Sequence, residues 1–135
     1  MDNLYAERAR ALVGVRFRAQ GRDVAIGVDC AGLAIAAYGL PCARFRRDYR
    51  LRGEHRRELE SVLAHDFRRV ARARCQPGDI MVLGVASDQL HLAIKTCAGF
   101  VHADAKLGRV VETPRDPRWE TLAVYRRRVR PVRGG

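Results

Sequence analysis

The stretch Gly27-Val28-Asp29-Cys30-Ala31-Gly32-Leu33 organises the rest of the chain, because it begins a short apolar helix that ends near Gly39. Asp29 is a favourable N-cap residue, since its carboxylate can accept hydrogen bonds from the backbone N–H groups of the first turn. Cys30 is then the first helical residue, where the positive end of the helix dipole favours thiolate over thiol. Gly32 has no side chain, so the helix can pack closely against a neighbouring element.

Cys30 has two interpretations at this point. A free Cys is most often a small buried hydrophobe without chemical activity. A Cys at a helix start is also a candidate nucleophile, provided that a His approaches it from elsewhere in the fold. The remainder of the chain has to supply that His.

Length and composition predict one domain. The 135 residues are enough for a single hydrophobic core, which we place over residues 1–129, with a basic tail over residues 130–135. No apolar run approaches the ~20 residues of a membrane helix. The N-terminus lacks the basic start and apolar middle of a signal peptide, so we expect cytoplasmic synthesis without one. The four Cys form no C-x-x-C pair and predict neither a metal site nor a redox motif.

The net charge of +11 comes almost entirely from Arg. Such a charge favours nucleic acid, anionic lipid or an anionic cell-wall polymer as a partner, although a coding bias toward Arg gives the same composition. Aromatic residues are few and are not interleaved with the Arg residues, and helix-turn-helix and zinc-finger signatures are absent. We therefore expect neither nucleic acid nor a membrane to be the main partner.

The order of the predicted elements indicates an α+β domain. Helical spacing predicts helices over residues 4–13, 30–38 and 56–70, with a basic loop over 41–53. The pattern then changes to short strands, predicted over 80–85, 90–96, 100–103, 109–112 and 122–126. This order predicts N-terminal helices packed on an antiparallel β-sheet, arranged as a meander or a small open barrel.

Two of the four His residues lie in predicted strands. His91 and His102 are eleven residues apart with one hairpin connection between them, so paired strands can place both imidazoles on one face of the sheet. If the helix that begins at Cys30 packs on that face, the three side chains form a Cys-His-His set. His91 would then take the thiol proton, and His102 would hold the His91 ring through its other nitrogen. Two half-buried strand histidines without a chemical role would have the same spacing.

Several blocks of the sequence, in order and at consistent spacing, resemble the NlpC-type cysteine peptidases of the cell wall. They are the segment with the nucleophile, within residues 14–38, and the turn into the first sheet strand, Pro77-Gly78-Asp79-Ile80. Two further blocks resemble the strand with the base His, His91-Leu92-Ala93-Ile94, and the strand with the third polar residue, Phe100-Val101-His102-Ala103. Arg109-Val110-Val111-Glu112, followed by Trp119, is similar to the phage-tail and gene-transfer-agent branch. The resemblance extends over residues 4–126, nearly the whole chain.

The resemblance implies a papain-like fold and a thiol protease that hydrolyses a peptidoglycan stem peptide, commonly between D-glutamate and a diamino acid. It implies that Cys30, His91 and His102 are catalytic and that no cofactor or metal is required. It also implies substrate-binding positions at Asp29, Phe17 and Ala31. Family members often have Tyr and Ser at the last two positions, so this chain lacks two polar groups that help to hold the stem peptide.

The branch that the sequence resembles implies a place in a phage-like tail or baseplate. There the protein would open peptidoglycan during entry, and synthesis without a signal peptide fits a particle component. One alternative is a tail or baseplate assembly component with the same fold and a non-essential active site. Another is a basic nucleic-acid-binding protein, whose DNA binding would depend steeply on salt.

Overall fold

The computed structural model describes residues 3–45, 55–86, 89–114 and 119–128. Three α-helices lie in these ranges: α1 (Leu4–Ala11), α2 (Cys30–Tyr38) and α3 (Arg56–Asp66). The strands in the same ranges are β1 (Arg22–Asp23), β2 (Gly27–Val28), β3 (Phe67–Val70), β4 (Ile80–Ala86), β5 (Gln89–Thr96), β6 (Gly99–Asp104), β7 (Arg109–Thr113) and β8 (Glu120–Arg127). The predicted tail over residues 130–135 and residues 46–53 of the predicted basic loop lie outside the described residues.

Helix α2 begins and ends as the sequence predicts. The backbone N–H of Gly32 donates to Asp29 Oδ1 at 2.8 Å, which is an N-cap hydrogen bond. Gly39 ends the helix in the left-handed conformation, with φ of 67°. A side chain at Gly32 would overlap the backbone carbonyl oxygen of Gly21, so the expected close approach at this glycine is confirmed. These contacts fix the position of Cys30 at the start of the helix.

Six of the described strands form one antiparallel sheet in the order β3-β8-β4-β5-β6-β7. Strands β4 to β7 follow one another as the predicted meander. Strand β8, the last strand of the predicted meander, instead pairs with β4 on the side away from β5. Strand β3, which lies within the predicted helix over residues 56–70, pairs with β8. Within the described residues the sheet is open, with β3 and β7 at its edges. Strands β1 and β2 form a separate small ribbon.

The predicted helix over residues 56–70 ends early. Helix α3 stops at Asp66, and the chain continues directly as β3. Leu59, Leu63 and Phe67 are all buried and are spaced like one helical stripe, so periodicity alone cannot locate the boundary. Strand β8 supplies backbone partners for Phe67–Val70, and this tertiary pairing overrides the helical spacing.

The two faces of the sheet carry different apolar clusters. The main core contains most of α2 together with Leu92 and Ile94 of β5 and Val101 of β6. A smaller cluster of Leu83, Ala93 and Phe100, with Trp119 packed against it, lies on the other face. None of the helices in the described part of the chain combines the length and apolar character needed to cross a lipid bilayer.

Candidate active site

The candidate site lies where β5 and β6 separate. Both strands are described throughout, yet they pair only near their hairpin, with Ile94↔Val101 as the last pair. Beyond that pair β5 continues beside β4, and β6 continues beside β7. His102 is the next residue after that pair on β6, and His91 lies three residues away from it on β5, so both are on the separating parts of the two strands.

The two imidazoles are in direct contact, as the sequence predicts. His91 Nε2 lies 3.0 Å from His102 Nδ1, and the two rings meet nearly edge to face at 82°. The other nitrogen of the second ring, His102 Nε2, lies 2.9 Å from Thr113 Oγ1 on β7. The indole of Trp119 packs edge to face against both imidazoles. His102 is 2 % exposed, so its ring is held between protein groups on every side.

The predicted packing of α2 on the histidine face is wrong. His102 contacts Phe100 and Trp119, which belong to the smaller cluster, whereas α2 packs against Leu92 on the opposite face. The physical reason is the alternation along β5, which turns Leu92 and Ile94 toward the apolar helix and His91 away from it.

Cys30 nevertheless reaches the histidine strand, because it lies at the end of α2 beside the opening between β5 and β6. The backbone N–H groups of Leu92 and Ala31 are close enough to its sulfur to lower its pKa. Leu92 directly follows His91 and is not paired with β6. The thiol therefore lies beside the backbone of β5, at the opening in the sheet and on the side where α2 packs.

Burial determines the protonation states of the resting site. It raises the pKa of Cys30 to about 12, with the Asp29 carboxylate as the second cause. The Leu92 N–H, the Arg22 charge and the Ala31 N–H lower that pKa only in part. Burial, followed by the adjacent His102 ring, lowers the pKa of His91 to about 4. Burial thus favours a thiol and a neutral imidazole, which is opposite to the direction that the helix start alone predicts for the pKa of Cys30.

Asp29 forms an ion pair that the sequence did not reveal. Its Oδ1 accepts both the N-cap hydrogen bond and a 2.7 Å bond from Arg22 Nη1. The Arg22 side chain is 3 % exposed, and it also donates to the carbonyl oxygen of Gly21. Arg22 comes to this place because β1 and β2 pair in the register Arg22↔Val28, and strands of two residues have no periodicity to recognise. The predicted substrate-binding carboxylate is therefore also a structural group.

The other two predicted substrate-binding positions are apolar packing positions in the structure. Ala31 is 6 % exposed within the main core. Phe17 is partly buried against the same core, and its backbone N–H donates to the carbonyl oxygen of Gly108. Neither side chain offers a hydrogen bond at the start of α2.

No family model matches the chain, and no curated protein matches it. Among solved structures, the chain is similar to the peptidoglycan hydrolase RipB from Mycobacterium tuberculosis, with a TM-score of 0.58 and 22 % sequence identity. The similarity covers 91 % of this chain and 62 % of the RipB chain, so this chain spans less than two thirds of that protein. It confirms the predicted fold class, a papain-like α+β fold with helices on an open antiparallel sheet.

Proposed function

We propose that this protein is a cysteine peptidase of the NlpC type that hydrolyses a peptide bond in the peptidoglycan stem. The observation that carries the proposal is the hydrogen-bonded pair of His91, on the strand that Cys30 reaches, and His102, on the neighbouring strand β6. The fold that the chain shares with the peptidoglycan hydrolase RipB supports the same substrate class. The bond between D-glutamate and a diamino acid is the one that we propose is cut.

The proposed mechanism gives each nitrogen of His91 a role. Because His91 Nε2 lies against His102, Nδ1 is the nitrogen that we propose accepts the Cys30 proton. Because both groups are neutral at rest, the proton moves as the sulfur attacks the substrate carbonyl carbon. The charge that develops on the sulfur is stabilised by the Leu92 and Ala31 N–H groups and by Arg22, which already lower the pKa of the thiol.

The remaining steps use the same groups. The backbone N–H of Cys30 is the proposed donor to the oxyanion, because it lies at the start of α2 where N–H groups lack helical partners. The His91 imidazolium protonates the leaving amine, and a thioester to Cys30 remains. Water, deprotonated by His91, then attacks the thioester, releases the acyl group as a carboxylate and restores the thiol.

We further propose that the protein is made in the cytoplasm and becomes part of a phage-like tail or baseplate that penetrates the cell wall. The similarity of residues 109–112 and Trp119 to that branch supports this role. The apolar side chains of Phe17 and Ala31 favour the alternative of an assembly component with a non-essential active site. Particles with Cys30→Ala that assemble but fail to inject support the enzyme, whereas full injection supports the assembly component.

Digestion of purified peptidoglycan tests the proposed reaction. We expect mass spectrometry of the soluble products to find new amino groups on the diamino acid and new carboxyl groups on D-glutamate. The matched blank is the same protein with Cys30→Ala, which keeps the helix but has no nucleophile. New reducing sugar ends, or identical products from both proteins, would contradict a stem-peptide peptidase.

A further inference from the structure

Thr113 extends the histidine pair into a longer chain of hydrogen bonds. His91 Nε2 meets His102 Nδ1, and His102 Nε2 meets Thr113 Oγ1. Thr113 is the last residue of β7 and pairs with Phe100, which places its side chain diagonally across from His102. We propose that Thr113 is a positioning residue that fixes the tautomer of the His91 base through His102. This inference rests on the proposed function.

The proposed reaction sets the direction of the chain at the His91 end. His91 Nε2 lies against His102, so Nδ1 is the nitrogen left to accept the Cys30 proton. To accept that proton, Nδ1 must carry no hydrogen at rest, because a ring nitrogen that already carries one has no lone pair to offer.

That direction then propagates, because a neutral imidazole carries only one N–H. If Nδ1 of His91 is unprotonated, its Nε2 carries the hydrogen and donates to His102 Nδ1. His102 must in turn carry its hydrogen on Nε2 and donate it to Thr113 Oγ1. The threonine hydroxyl is thus the acceptor at the end of the chain, and it holds both imidazoles in the state that lets His91 take a proton.

The reverse direction would disable the base. If Thr113 donated to His102 Nε2, then His102 Nδ1–H would donate to His91 Nε2, and the only hydrogen of His91 would sit on Nδ1. That nitrogen could not accept the proton of Cys30 without a rearrangement of both rings. Because His102 is almost fully buried, removal of the Thr113 oxygen leaves its Nε2–H without the partner seen here.

Thr113→Val is the sharpest test, because it removes the hydroxyl and keeps the branched shape. We expect kcat to fall roughly 10- to 100-fold with little change in KM, as when the partner that orients a functional His is lost. Thr113→Ser should restore most of kcat. Thr96→Val is the matched control, since it deletes a buried hydroxyl bonded to Glu112 and away from both imidazoles. It should leave kcat near that of the unmodified protein.

Imidazole nitrogen NMR gives a readout without substrate. In the unmodified protein we expect both His91 and His102 as the tautomer protonated on Nε2, and in Thr113→Val a mixed population at His102. Unchanged tautomers and unchanged kcat in Thr113→Val would overturn the role of Thr113. A His91 that carries its hydrogen on Nδ1 in the resting, unmodified protein would overturn it as well. The expected tautomers in a protein that cuts no stem peptide would instead refute the proposed function alone.

Discussion

Cys30→Ala is expected to lower the hydrolysis of a soluble stem peptide by about 10⁴-fold or more, because the sulfur forms the bond to the substrate carbonyl carbon. The measurement is the initial rate of amine release, with circular dichroism to show that the variant is folded. Cys42→Ala is the matched control, because Cys42 is an exposed free cysteine that lies outside α2 and the two histidine strands. It should keep full activity.

The same assay should show different losses of activity for substitutions at the two histidines. His91→Ala should approach the loss seen with Cys30→Ala, since His91 moves the proton, and His102→Ala should cost less because that ring only orients the base. The double variant of Cys30 and His102 should be no slower than Cys30→Ala alone, since parts of one catalytic unit are not additive. Activity retained by Cys30→Ala would refute the nucleophile, and a total loss with His102→Ala would indicate that His102 is the base.

Gly32→Ala is expected to destabilise the fold by about 3 kcal/mol or more, at or beyond the upper end for overpacked positions. The added methyl group would overlap the carbonyl oxygen of Gly21 and press on the Val28 side chain. A backbone oxygen cannot rotate away, so α2 or the segment around Gly21 has to shift. Urea unfolding followed by circular dichroism measures the difference in the free energy of unfolding.

Gly84→Ala is the control for this effect. The nearest group to a methyl there would be the Leu122 side chain, at 3.5 Å, which is an ordinary contact. The free energy of unfolding of Gly84→Ala should stay within about 1 kcal/mol of that of the unmodified protein. If Gly32→Ala proved as stable as Gly84→Ala, the close packing that places Cys30 at the opening in the sheet would be refuted.

Local sequence signals located the elements but not their partners. Asp29 and Gly39 bound α2 correctly, because an N-cap and a left-handed C-cap act within a few residues. The end of α3 was misplaced because Phe67 continues the helical stripe while it pairs with β8. Strand pairing between distant segments has no local signature, and the position of β8 beside β4 could not be foreseen for the same reason.

The candidate site was also only partly readable in the sequence. The spacing of His91 and His102 correctly predicted that their rings meet. Burial of the site, which raises the pKa of Cys30, depends on packing that the helix start does not reveal. Arg22 lies in a two-residue strand, and Thr113 lies one residue past the predicted strand over 109–112, so neither carried a recognisable pattern.

An electrophilic substrate analogue tests most directly whether the thiol at the start of α2 is the nucleophile. The protein is incubated with a stem-peptide chloromethyl ketone that ends at the D-glutamyl position, and the modified peptides are mapped by mass spectrometry. One label per chain is expected, on Cys30, although Cys42 and Cys97 are more exposed, and excess unmodified stem peptide should prevent it. Labelling of Cys42 or Cys97 with Cys30 unmodified would contradict a nucleophile at Cys30.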